Sequence, residues 1–166
     1  MSMARRSGTP PGMRDLAIEL EVTPGALYRH VEGQAQLVAL VIDAVMRHVA
    51  MPAEDEAPDP WERIRLHVRS LTSVLDDHPG LDRIIAGHAD DSAAARLRQR
   101  WLVKQLEQGG LSAADARRSY GVLTMYWLGS RQPPRAFSGA FYFGLDRLIE
   151  GLRAAGRRQQ LILPRR

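Results

Sequence analysis

The sequence predicts an all-α protein, and three observations support this fold class. Apolar residues recur every three or four positions along most of the chain, as on one face of an amphipathic helix. No stretch alternates between apolar and polar residues over the length of a strand. Pairs and clusters of proline and glycine separate the periodic segments, where they end helices.

The composition is that of an ordinary globular protein. The chain has 166 residues, of which 45% are hydrophobic, and a net charge of +4. A chain of this length folds without a disulfide or metal, and the absence of cysteine excludes a disulfide scaffold and a thiolate zinc site. No segment has the apolar core of a signal peptide or the length of a membrane span. We therefore expect a cytoplasmic protein that does not associate with membranes.

The stretch from Met13 to Val45 carries a helix-turn-helix pattern. The inner face of a first short helix consists of Met13, Leu16, Ala17 and Leu20, and residues 21–23 make a tight turn. Thr23 then caps a second short helix that begins at Pro24. In such motifs the second helix enters the DNA major groove, and its N-terminal residues meet base edges. The residues expected to contact DNA are Thr23, Pro24, Gly25, Ala26, Tyr28, Arg29 and His30.

Two of these residues have an alternative interpretation. Arg29 can reach a guanine edge or a phosphate. The Tyr28 ring, however, could instead pack in the core, and His30 could be a solvated surface group.

The formal charge of residues 1–33 sums to zero. The basic residues are Arg5, Arg6, Arg14 and Arg29, and the acidic residues are Asp15, Glu19, Glu21 and Glu32. Because non-specific affinity comes mainly from phosphate neutralisation, this segment is expected to bind DNA weakly.

The remaining elements are predicted to be helices as well. A connecting helix from Gln34 to Met51 ends at Pro52, and an acidic, proline-rich linker follows up to Pro60. This linker predicts two domains, residues 1–51 and 52–166. Asp59 caps the next helix, and Ser112 caps a later one after Gly109-Gly110 has ended its predecessor. The other predicted helices span Leu81–His88, Ser92–Gln108, Ser112–Gly129 and Phe137–Ala155.

The last two helices carry glycines inside the helical pattern. Each interior glycine costs roughly 1 kcal/mol relative to alanine, which is easiest to explain where helix backbones approach closely. We interpret the pair as a self-association surface. The alternative is a close crossing inside one chain. The residues predicted to form this dimer interface are Gly121, Met125, Leu128, Phe141, Gly144, Leu145 and Leu148.

The chain resembles the TetR/AcrR type of transcriptional regulators. The likeness rests on residues 15–17, 22–25, 27–31 and Leu37 in the helix-turn-helix stretch, and on residues 143–152 near the end. The resemblance implies a homodimer joined by a four-helix bundle from the last two long helices of each subunit. It also implies binding to double-stranded operator DNA and an effector pocket in the C-terminal bundle.

Two departures from the family pattern affect the DNA-binding head. The family has a further helix before the segment equivalent to Met13, whereas here only twelve residues precede it and four of them are glycine or proline. Gln34 stands where the family usually has a lysine. The small helix-turn-helix head is therefore expected to be incomplete. The alternative function is a headless TetR-like module that binds a ligand or a partner subunit without contacting DNA.

The effector pocket is expected among the four helices between Trp61 and Gly129. Aromatic walls with a few polar tips suit a small apolar or amphipathic molecule. The candidate lining residues, which could also be ordinary core residues, are His67, Leu71, His88, Trp101, Leu102, Tyr126 and Trp127. The histidines show no paired metal-binding spacing, and the sequence has no phosphate-binding glycine loop and no GxSxG motif. We expect neither enzymatic activity nor a cofactor.

Overall fold

The computed structural model describes Thr23, Gly25 and residues 32–78, 80–88, 92–131 and 138–162. These residues form six helices and no strand, so the all-α prediction is confirmed. The helices are α1 (Gln34–Met46), α2 (Pro60–Asp76), α3 (Leu81–His88), α4 (Ala93–Gln108), α5 (Ala113–Ser130) and α6 (Ser138–Ile162). None of them is long and apolar enough to cross a membrane.

The helix-end signals predicted at Asp59, Ser112 and Gly110 are confirmed. Asp59 Oδ1 accepts a hydrogen bond from the Trp61 amide at 3.1 Å at the start of α2. Ser112 Oγ accepts one from the Asp115 amide at 3.2 Å at the start of α5. Gly110 follows α4 with a φ of +99°, the left-handed conformation that ends many helices. These three signals lie within a few residues of the helix ends that they determine.

Two helix ends differ from the prediction. Helix α1 ends at Met46 rather than Met51. The next residues form hydrogen bonds three positions apart, from His48 N to Val45 O and from Val49 N to Met46 O, so they make a tighter turn than an α-helix. Helix α6 continues to Ile162 rather than ending at Ala155. Its last turns have a partner at the start of α5, since Gln159 Oε1 accepts from the Ser112 amide at 2.7 Å. Tertiary contacts therefore extend α6.

The chain divides into two compact units. The first unit contains the described part of residues 1–49 together with 70–97, and the second contains 50–69 together with the described part of 98–166. In the first unit α1 packs against α3. The buried apolar side chains on these two helices are Leu37, Val38, Ile42, Val45, Met46, Leu81, Ile84 and Ile85.

The second unit has its own core, in which α5 packs against α6. Its buried apolar side chains include Trp61, Ile64, Leu106, Leu123, Trp127, Leu145 and Ile149. Arg63 is also buried, and its guanidinium donates to Gln105 Oε1 at 2.6 Å and to the Ala57 carbonyl at 2.6 Å. The Arg63 side chain thereby ties the loop before α2 to α4.

Candidate functional site

The predicted DNA-contacting residues fall mostly outside the described part of the chain. Thr23 is exposed, and Gly25 is helical and exposed. A side chain at position 25 would meet no atom of the described chain within 4 Å. Pro24, Ala26, Tyr28, Arg29 and His30 lie outside the described residues. Their contact with DNA stays a prediction.

Helix α1, which follows this segment, carries a single carboxylate among apolar residues. Asp43 Oδ1 accepts hydrogen bonds from Ser92 Oγ at 2.5 Å and from the Ala94 amide at 2.9 Å. Ser92 Oγ in turn accepts from the Ala95 amide at 3.0 Å. Asp43 and Ser92 together therefore cap the N-terminus of α4. Asp43 is absent from the residues predicted from the sequence, although its being the only acid on α1 is a signal that could have found it.

Within the predicted pocket, the structure brings His67 and Trp101 together. Their ring centroids lie 4.9 Å apart with an interplanar angle of 46°. His67 is buried, and its Nδ1 lies 2.6 Å from the Ala50 carbonyl oxygen. Since a carbonyl only accepts, Nδ1 carries the proton, and in the neutral ring Nε2 is an acceptor. Burial is the main cause that lowers the pKa of His67 from 6.5 to about 4, and nearby Arg98 lowers it further.

The other predicted pocket residues lie in different surroundings. Leu102 and Trp127 are buried in the second unit. Leu71 is half-buried and belongs to the first unit. His88 is the last residue of α3, and its side chain lies outside the described atoms. Whether these residues line a pocket stays a prediction.

Tyr126 links the predicted pocket set to the predicted dimer set. Its ring stacks on Phe141 with centroids 5.6 Å apart, and its hydroxyl donates to the Phe141 carbonyl at 2.9 Å. Burial raises the pKa of this hydroxyl. A Cβ on Gly144 would overlap the Tyr126 hydroxyl, so glycine at this position serves a contact inside one chain. Tyr126 therefore joins α5 to α6.

The predicted dimer residues divide into buried and exposed ones. Phe141 and Leu145 are buried within the chain, whereas Met125 is 67% exposed. Phe143, next to the predicted set, is 68% exposed. Leu128 and Leu148 are half-buried. A Cβ on Gly121 would meet no atom within 4 Å, so no contact inside the described chain explains this glycine.

Comparisons with known proteins give partial sequence matches and a nearly complete fold match. No protein-family model matches the sequence. The chain is 37% identical over 89 residues to the nucleoid occlusion factor SlmA of Vibrio vulnificus, a match that covers 51% of this chain and 45% of SlmA. A similar relative from Shewanella amazonensis is 30% identical over 106 residues, covering 59% of this chain and 53% of its own length. The chain thus spans about half the length of the curated relatives that it matches.

Solved structures match nearly the whole chain. BioQ of Mycobacterium smegmatis aligns with a TM-score of 0.78 and 26% identity over 92% of both chains. A structure of BioQ with its double-stranded DNA operator aligns with a TM-score of 0.74 and 28% identity, over 86% of this chain and 85% of BioQ. ActR of Streptomyces coelicolor, a TetR family protein in complex with (S)-DNPA, shares the fold with a TM-score of 0.72 and 23% identity over 88% of both chains. Along most of its length the chain therefore shares the fold of these solved proteins, one of which, ActR, is a TetR family protein.

Proposed function

We propose that the chain is a transcriptional regulator that binds double-stranded operator DNA as a homodimer and responds to a small apolar or amphipathic effector. The observation that carries the proposal is the match to BioQ in its operator-bound form, at 28% identity over 86% of this chain. The helix-turn-helix pattern between Met13 and Val45 supplies the residues that would contact DNA. The proposal assigns the chain no catalytic activity. Its place of action is the cytoplasm, where the DNA is.

We assign the proposed functions to the two domains predicted from the sequence. Residues 1–51 would hold the DNA-binding head and the connecting helix, and residues 52–166 would bind the effector and the second subunit. The contact between His67 and Trp101 supports an effector site in the second unit, because it combines an aromatic surface with an acceptor nitrogen. The exposed Met125 and Phe143 side chains support a subunit contact there.

A mobility-shift assay tests DNA binding. The full chain is expected to shift the DNA upstream of its own gene, and the affinity should fall as salt rises because bound phosphates release counterions. Arg29→Ala should weaken binding by roughly tenfold if Arg29 meets a base or phosphate. Arg118→Ala is the matched control, since it removes the same charge from a side chain that is 79% exposed in the second unit.

Two results would contradict the proposal. A chain that gives no salt-sensitive shift does not bind this operator, and the headless module would then be the better description. Equal losses of affinity in Arg29→Ala and Arg118→Ala would mean that DNA binding depends only on net charge. The helix-turn-helix segment would then not be the part that contacts the bases.

A further inference from the structure

We propose that Asp43 is a positioning residue that fixes the connecting helix α1 to the N-terminus of α4. The inference rests on the proposed function, because α1 directly follows the segment predicted to contact DNA. All groups involved belong to the first unit. They are the Asp43 carboxylate, the Ser92 hydroxyl and the backbone amides of Ala94 and Ala95.

The contact between Asp43 and the start of α4 is partly buried. Ser92 is fully buried and Asp43 is half-buried. Asp43 Oδ1 receives two donors, from Ser92 Oγ at 2.5 Å and from the Ala94 amide at 2.9 Å. If the carboxylate is removed, the Ser92 hydroxyl loses its acceptor and the α4 N-terminus loses a charged cap. The cost of such a loss falls on both helices that meet there.

Within the described part of the chain, helix α1 has few other directional contacts. Its N-cap residue is Gly33, which makes no side-chain cap bond and has a φ of +148°. Among the described residues, the Glu32 amide donates to Gln36 Oε1 at 2.5 Å in the first turn of α1, and the apolar face of the helix packs on α3. Apolar packing is non-directional, whereas hydrogen bonds fix distance and angle. Asp43 is therefore the group that sets the rotation and register of α1, directly after the segment predicted to contact DNA.

Hydrogen exchange on the full chain tests this role. Asp43→Ala should raise the amide exchange rates of residues 34–46 roughly tenfold or more, because α1 loses its hydrogen bonds to the N-terminus of α4. Asp43→Asn keeps an acceptor oxygen and should change this exchange little. Ser112→Ala is the matched control, because it removes the cap of α5, in the other unit, and should leave residues 34–46 unchanged.

The same variants are then measured for binding to the upstream DNA. Asp43→Ala should weaken binding, with Asp43→Asn near the wild type and Ser112→Ala unaffected. The proposal is overturned if Asp43→Ala increases exchange only at the start of α4, since Asp43 would then be a local cap. Should Asp43→Ala fail to fold, Ser92→Ala retains the bond from the Ala94 amide to Asp43, and residues 34–46 should exchange faster than in the wild type but remain folded.

The two readouts separate this inference from the proposed function. If even the wild-type chain does not bind DNA, the proposed function fails, and hydrogen exchange alone still decides whether Asp43 fixes α1. If the wild type binds DNA but residues 34–46 exchange alike in Asp43→Ala and the wild type, the function stands and this inference is wrong.

Discussion

Burial removes His67 from the group of side chains that titrate near neutral pH. Its Nδ1 donates to the Ala50 carbonyl, and its ring lies against Trp101, so the protonated form would place a charge in an apolar environment. The sequence could suggest His67 as a pocket residue but not its tautomer. That property depends on Ala50, which is 17 residues away. Only the folded chain brings the two groups together.

The lowered pKa of His67 predicts a specific loss of stability in acid. The pKa is about 4 in the folded chain and 6.5 as its ordinary value. As the pH falls through 6.5 the unfolded chain binds this proton first, so stability is complete above 6.5 and decreases as the pH approaches 4. The loss from this one group is on the order of 3 kcal/mol.

Urea denaturation at several pH values between neutral and the folded-state pKa measures this loss. His67→Asn keeps a donor for the Ala50 carbonyl but does not titrate, so its stability should fall less than that of the wild type. His48→Asn replaces an exposed histidine and should follow the wild-type profile. Parallel profiles for His67→Asn and the wild type would show that His67 does not cause the acid sensitivity.

At the scale of helices, local signals predicted the helix caps, and tertiary contacts decided the rest. The roles of Asp59 and Ser112 could be predicted because each residue bonds to an amide two or three positions ahead. The extension of α6 could not be predicted, because it depends on the start of α5 through Gln159. Gly109 gave a helix-end signal, but its contact with the Trp61 indole involves residues far apart in sequence.

Gly156 lies at a close approach of α6 to the turn that follows α4. A Cβ at position 156 would lie 2.5 Å from the Gly109 carbonyl oxygen, and backbone atoms cannot move away cheaply. Gly156→Ala should therefore destabilise the protein by about 1–3 kcal/mol, despite the better helix propensity of alanine. Chemical denaturation at neutral pH measures the change.

A matched helical glycine provides the control for this substitution. Gly87 lies in α3 and is exposed, and a Cβ added there would have no atom within 4 Å. Gly87→Ala should therefore be neutral or stabilising by up to about 1 kcal/mol. If both alanine variants stabilise the protein, α6 and the turn after α4 can separate at little cost, and the close approach at Gly156 does not require glycine.

At the scale of the whole molecule, the fold class could be predicted, whereas the assignment of residues to surfaces could be predicted only in part. The periodic apolar pattern indicated a helical fold because helix geometry repeats along the chain. It could not separate a helix contact inside one chain from one between two chains, because both use apolar residues and glycine. The structure explains Gly144, where an added Cβ would overlap the Tyr126 hydroxyl, by a contact inside one chain; at Gly121 an added Cβ would contact no described residue, and its place in a subunit interface stays a prediction.

The exposed apolar residues of α5 and α6 lead to a prediction about assembly. If a second copy covers Met125 and Phe143, Phe143→Glu places a charge in the subunit interface and should weaken dimerisation by more than about tenfold. Sedimentation velocity over a range of protein concentrations measures the dissociation constant. Leu161→Glu is the control, because Leu161 lies on the same helix, is 86% exposed and stands outside the predicted interface. A Phe143→Glu variant that dimerises as tightly as the wild type would contradict an interface at Phe143, and a monomeric wild type would contradict the homodimer itself.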